Sequence, residues 1–132
     1  MSAFAARRGR NQRGSALVDF VIVMMLLIPL FLGLIQVALV LHVRTTLAAA
    51  ASEGARYAAT ADRDAGDGVA RTRAQLAEAF GGGFITSVTP RRTSIDGAPA
   101  VEIVVHAEVP ALGLGGPAVA MDVTGHAIEE QP

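Results

Sequence analysis

The chain opens polar and then turns apolar: from Phe20 to Leu41 no charged side chain interrupts a run rich in Leu, Ile and Val. The run holds 22 residues, which at the helical rise span about 33 Å against a hydrocarbon core of about 30 Å. It predicts one transmembrane helix over residues 20–41. Pro29 and Gly33 lie inside it and predict a bend, which membrane helices tolerate where neighbours satisfy the freed carbonyls. Gln36 is the one polar side chain deep in the run, either a hydrogen-bonding contact to another helix or a tolerated lone amide. Helical character persists beyond the membrane, because residues 45–61 are alanine-rich, lack proline and contain a single glycine, and alanine is the best helix former. A nearly continuous helix over residues 15–61 is predicted.

After residue 61 the pattern changes period. Asp62-Arg63-Asp64-Ala65-Gly66-Asp67-Gly68 reads as a loop, with Asp67 as N-cap of a short helix over residues 69–80 whose Val69, Leu76, Ala77 and Phe80 form one apolar stripe. Gly81-Gly82-Gly83 ends it. Three strands are expected at 84–89, 100–109 and 118–128, separated by loops holding Pro90, Gly97 and Pro99, then Pro110, Gly113, Gly115, Gly116 and Pro117. The middle strand alternates: Val101, Ile103, Val105, Ala107 and Val109 face one way, and Glu102, His106 and Glu108 the other, the mark of a half-exposed antiparallel sheet. The fold class is therefore α+β: a long N-terminal transmembrane helix, a short second helix and a small three-stranded antiparallel sheet.

Charge adds direction to this picture. All 11 basic residues are arginine, against 12 acids, and the net charge of -1 excludes a nucleic-acid binder working by bulk charge. Arg7, Arg8, Arg10 and Arg13 crowd the first 14 residues, while the remaining 118 carry 7 arginines and 12 acids. The positive-inside bias places the N-terminus in the cytoplasm and the domain outside, and the absence of cysteine fits an extracytoplasmic domain. Three regions follow: a basic cytoplasmic leader over 1–14, the long helix over 15–61 and a small extracytoplasmic α+β domain over 62–132. A cleaved secretory signal with an A-x-A site at Ala48-Ala49-Ala50 is the competing reading, but signal h-regions run only about 7–15 residues, so a permanent single-pass anchor is expected.

Candidate chemistry is sparse. The acids from Asp62 invite a calcium loop, but an EF-hand needs glycine at its sixth position and an acid at its twelfth, where Asp67 and Arg73 stand. His106 with Glu108, and Asp122 with His126, would need a particular strand register to converge on a metal ion; charged residues on a half-exposed sheet are ordinarily its solvent face, so no metal site is expected. Without cysteine, a G-x-S-x-G turn or a phosphate-binding glycine pattern, the expectation is a non-enzymatic protein with no cofactor and no small-molecule substrate.

Asp19 is the unusual residue. A carboxylate at the start of a spanning helix is costly unless it meets a cation or stays near the interface, although the dipole at a helix N-terminus also favours an acid there. The run Arg13-Gly14-Ser15-Ala16-Leu17-Val18-Asp19-Phe20 resembles the cleavage signal of type IV prepilins. By that resemblance a prepilin peptidase cuts between Gly14 and Ser15, Ser15 becomes the mature N-terminus, and Asp19 and Phe20 hold its fifth and sixth positions. The family usually has Glu at the fifth position, where this chain has Asp19. Cleavage leaves an α-amine that is positive at neutral pH, and Asp19 of an axially offset neighbour could neutralise it and set the register between subunits.

A second signature follows the membrane. Small residues recur every fourth position, Ala48 with Ser52, Ala50 with Gly54, and Ala51 with Ala55 and Ala59, which is either a face for close helix approach or simple helix propensity. Within it, Ala51-Ser52-Glu53-Gly54-Ala55-Arg56-Tyr57-Ala58 resembles the motif that follows the spanning helix in the TadE-like family of pilus assembly proteins. Glu53, Arg56 and Tyr57 stand at i, i+3 and i+4, so a pair between Glu53 and Arg56 beside the phenol is expected, either to dock the domain or a partner or as a solvated face. The resemblance implies a minor pilin or pseudopilin of the tight-adherence (Flp) system. Its implied partners are the membrane, a prepilin peptidase, other pilins and the assembly machinery. The alternative is a single-pass anchor displaying a binding or regulatory domain that does not polymerise.

Overall fold

The computed structural model describes residues 9–110 and 118–130, with side chains from Gly14 onward. Arg7, Arg8 and the side chains of Arg10 and Arg13 in the leader, and Gly113, Gly115, Gly116 and Pro117, lie outside that description. The elements are α1 (Gly9–Ala58), α2 (Ala65–Phe80), β1 (Ile85–Ile95), β2 (Ala98–Pro110) and β3 (Ala118–Ile128). The strands form one antiparallel sheet in the order β1-β2-β3, and the protein is α+β. It divides into two compact units, up to Val37 and from Ala38 on.

In the first unit α1 runs unbroken through Pro29 and begins at Gly9, before the expected Ser15. Among the described residues it is the one helix long and apolar enough to cross a membrane, and none of its apolar window is buried. Phe20, Leu26 and Phe31 are exposed along it. A helix serving as the core of a soluble domain would bury that surface, so the exposure supports a single membrane anchor.

In the second unit the rest of α1 becomes a core element. Val43, Leu47, Ala50, Ala51, Gly54, Ala55 and Ala58 are buried, and their spacing of three and four is one helix face. The sheet meets it with Val101, Ile103, Val105, Ala107 and Val109, all buried as the alternation required, joined by Val88 and Val123 from the flanking strands. Leu76 of α2 completes the core. At the far end the Glu130 amide donates to the Ala59 carbonyl at 2.9 Å, satisfying one of the acceptors that a helix terminus leaves open.

Three local features differ from expectation. The N-cap of α2 is Asp64, not Asp67: the Asp64 carboxylate accepts from the Asp67 amide at 2.9 Å and the Asp67 carboxylate from the Asp64 amide at 3.1 Å, a capping box. The helix thus starts at Ala65 and includes Gly66 and Gly68; it ends on left-handed Gly81, as the triple glycine indicated. β1 does not stop before Pro90 but continues to Ile95, and Asp96 and Gly97, both at positive φ, turn the chain directly into β2. Two residues at positive φ are what a tight hairpin turn requires, and Asp-Gly is a favoured pair for it. α1 ends at Ala58 rather than Ala61.

Candidate functional site

The segment singled out for processing is plain helix. Gly14, Ser15, Asp19 and Phe20 all lie in α1 and are exposed; a side chain at Gly14 would meet nothing within 4 Å. Among the described residues Asp19 makes no ion pair. The four residues therefore present a glycine, a hydroxyl, a carboxylate and an aromatic ring on an unobstructed helix whose continuation is apolar.

The motif after the apolar stretch is built by α1 meeting α2. Glu53 and Arg56 are exposed, Tyr57 is half-buried and Gly54 is buried. Gly54 is glycine for a steric reason: a Cβ there would overlap the Thr72 hydroxyl, lie 2.7 Å from the Gly68 carbonyl oxygen and 3.1 Å from Ile103. Gly68 is its counterpart on α2, where a Cβ would come within 2.6 Å of the Ala58 Cβ and of the Gly54 carbonyl oxygen. Two glycines face each other, so the backbones approach closely. Thr72, fully buried, lies beside them, its hydroxyl 2.9 Å from the Gly68 carbonyl and 3.3 Å from the Ala50 carbonyl, positioned to donate to either. On the other side of α1, Gly125 of β3 is held by the same constraint against the backbone of Ala51 and Ser52.

The charged members of the motif do not pair as expected. Glu53 reaches Arg71 of α2 at 3.9 Å, not Arg56, and Arg56 makes no ion pair among the described residues. Tyr57 carries the Arg63 guanidinium 4.6 Å from its ring centroid and that of Arg71 at 5.9 Å. Arg71 therefore bridges Glu53 and Tyr57, one helical turn apart on α1, from the neighbouring helix. Side-chain exposure near one half on both partners of the ion pair makes it weak, so the phenol with its two guanidiniums is the more substantial contact. Sequence reasoning missed Arg63, Arg71, Gly68 and Thr72; the Gly-x-x-x-Thr spacing of the last two, placed in the first turns of α2, was the available signal.

The sheet gathers the four residues weighed as metal ligands on one face. His106 stands opposite Asp122 and is paired with it, while His126 stands opposite Glu102. Arg91 reaches Glu102 at 3.8 Å. Among the described residues no group of three or more histidines and acids is placed to hold a metal ion, so the face is a row of cross-strand pairs.

Residues 14–56 match the family model described as TadE-like protein. No curated protein and no solved structure matches the chain. The match starts at the glycine that closes the leader and ends at the arginine of the motif, and over that span, apolar helix included, the chain is similar to TadE-like proteins.

Proposed function

We propose that the protein is a TadE-like minor pilin or pseudopilin, trimmed after Gly14 by a prepilin peptidase and acting in assembly of a tight-adherence (Flp) type IV pilus or a related secretion apparatus. The observation that carries this is the match over residues 14–56, which unites Gly14, the acid at Asp19 and the unburied apolar helix in one segment. The role is one of packing rather than catalysis. Before assembly the apolar part of α1 holds the subunit in the membrane, N-terminus in the cytoplasm and residues 62–132 outside. During assembly the new Ser15 amine of one subunit and the Asp19 carboxylate of its neighbour neutralise each other, since each alone would be costly in an apolar setting.

The core argues against removal of the helix by signal peptidase at Ala48-Ala49-Ala50. Val43 and Leu47, upstream of that site, are among the most buried side chains of the domain, and cutting there would strip them from it. N-terminal sequencing of the membrane-purified protein tests the proposal: the expected first residue is Ser15. Recovery of Met1 or Ser2 from cells with a working prepilin peptidase would overturn it in favour of a plain anchored domain, and a start near Ala51 would indicate a secreted product. Shearing cells and blotting the sheared fraction then asks whether the trimmed subunit enters a filament.

A further inference from the structure

The two free edges of the sheet are built differently, and hydrogen-bond phase shows how. The Glu129 amide donates to the Pro99 carbonyl and the Glu108 amide to the Phe84 carbonyl, each at 2.9 Å. Antiparallel partners alternate between bonded and non-bonded pairs, and the β2–β3 register is unbroken from Ala100 opposite Ile128 to Pro110 opposite Ala118. Odd-numbered residues of β3 therefore turn their amides and carbonyls to β2. Ala120, Asp122, Thr124, His126 and Ile128 turn theirs away. On β1, past the register shift between Ile85 and Ser87, Pro90 faces Ile103 in a non-bonded pair, so its missing N–H falls on the free side.

The β1 edge is thus short of a donor and flanked by Arg91 and Arg92, and proline and charge are devices by which edge strands avoid unwanted pairing. β3 has no proline and no cation: residues 118–128 contain no Pro, Lys or Arg, and their one acid is Asp122. Val119 and Ile128, 43% and 52% exposed, stand near its ends. Among the described residues no backbone group pairs with its free side.

Charge indicates what would pair there. From Thr93 to Pro132 the chain carries six acids and neither Lys nor Arg. Asp122 lies on the edge itself, paired with His106 but with its side chain 70% exposed, Glu102, which Arg91 reaches at 3.8 Å, stands one strand behind on the same face as His126, and Glu129 and Glu130 follow the strand. We propose that β3 is a docking edge that accepts an extended segment of a different protein as a fourth strand, with arginine or lysine at the alternate positions that face Asp122. Main-chain bonds to the outward amides supply affinity, and the alternate side chains supply selectivity. A second copy fits less well, because β3 against β3 sets two acid-flanked edges side by side and β1 of another copy offers the proline-blunted edge. The proposal does not depend on trimming after Gly14.

The test is titration of the full-length protein in detergent micelles with a labelled peptide of alternating arginine and valine. Two controls are its glutamate–valine counterpart and the arginine peptide N-methylated at every second amide. The arginine peptide should bind about ten-fold or more tightly than either control, and amide exchange at Asp122, Thr124 and His126 should slow on binding while Val123 and Gly125 stay as they were. Thr124→Pro removes an outward donor without removing a β2–β3 bond and should weaken binding about ten-fold; Asp122→Arg, which reverses the charge and gives up the pair with His106, should do the same without constraining the backbone. Equal binding of the three peptides, no binding, or protection elsewhere than β3 overturns the proposal. Self-association that Thr124→Pro abolishes, with no peptide bound, assigns the edge to a second copy and overturns it equally.

Discussion

Gly14 and Gly54 lie on one helix, and their surroundings make opposite demands. A methyl group at Gly54 would press on Thr72, Gly68 and Ile103, so Gly54→Ala should cost about 1–3 kcal/mol through overpacking, read as a lowered midpoint in urea unfolding of the detergent-solubilised protein. Gly14→Ala meets nothing within 4 Å; it should leave that midpoint unchanged and abolish trimming, and continued release of a product starting at Ser15 would show that the glycine is not what the peptidase reads. Arg56 separates stability from partnership in the same way. It makes no ion pair among the described residues, so Arg56→Ala should leave the unfolding midpoint in place, whereas Tyr57→Ala, which loses its contacts to Arg63 and Arg71, should cost about 1 kcal/mol. A loss of pilus assembly in Arg56→Ala at unchanged stability would then report an external partner. The motif was legible as a motif, but the steric role of Gly54 was not, because Gly68 and Thr72 reach it from a different helix.

At the scale of elements, the errors of sequence reading share one cause: residues that weaken an element locally are kept for a contact made elsewhere. Gly66 and Gly68 made the start of α2 look like a loop, yet Gly68 is required by the approach to α1, and Asp64 with Asp67 secures a turn of low propensity. Asp64→Ala should therefore lower stability by about 1 kcal/mol, more than Asp62→Ala just outside the helix; equal effects of the two would mean that the box contributes nothing. Pro90 misled in the same manner, since proline ends central strands but is tolerated where its nitrogen faces outward. The Asp96-Gly97 pair was a readable hairpin signal, hidden by the prolines on both sides. The β2 alternation from Val101 to Val109 needed no such correction, because every residue it placed inward is buried, although Ala100 and Val104 of the opposite phase are buried as well.

For the molecule as a whole, the boundary visible in composition and the boundary made by packing fall at different places. The helical pattern gives way at residue 62, but the compact unit begins at Ala38, because Val43, Leu47, Ala51, Ala55 and Ala58 of α1 lie in its core. The sequence conceals this: an alanine-rich helix that continues a membrane span has the same composition whether it projects freely or is buried, and only the small-residue spacing hints at the second. The difference is measurable. A fully buried Val or Leu contributes about 1.5–3 kcal/mol, so loss of Val43, Leu47 and the alanine face would remove an amount comparable with the entire stability of a small domain, about 5–15 kcal/mol. A fragment of residues 38–132 should thus melt cooperatively in circular dichroism without detergent, while a fragment of residues 62–132 should show no cooperative transition. If the shorter fragment melted as sharply as the longer, the helix would be an appendage of the domain. If only the longer one folds, the segment carrying Glu53, Gly54 and Tyr57 is bound rigidly into the domain, and any displacement of that segment must carry the sheet and its open β3 edge along with it.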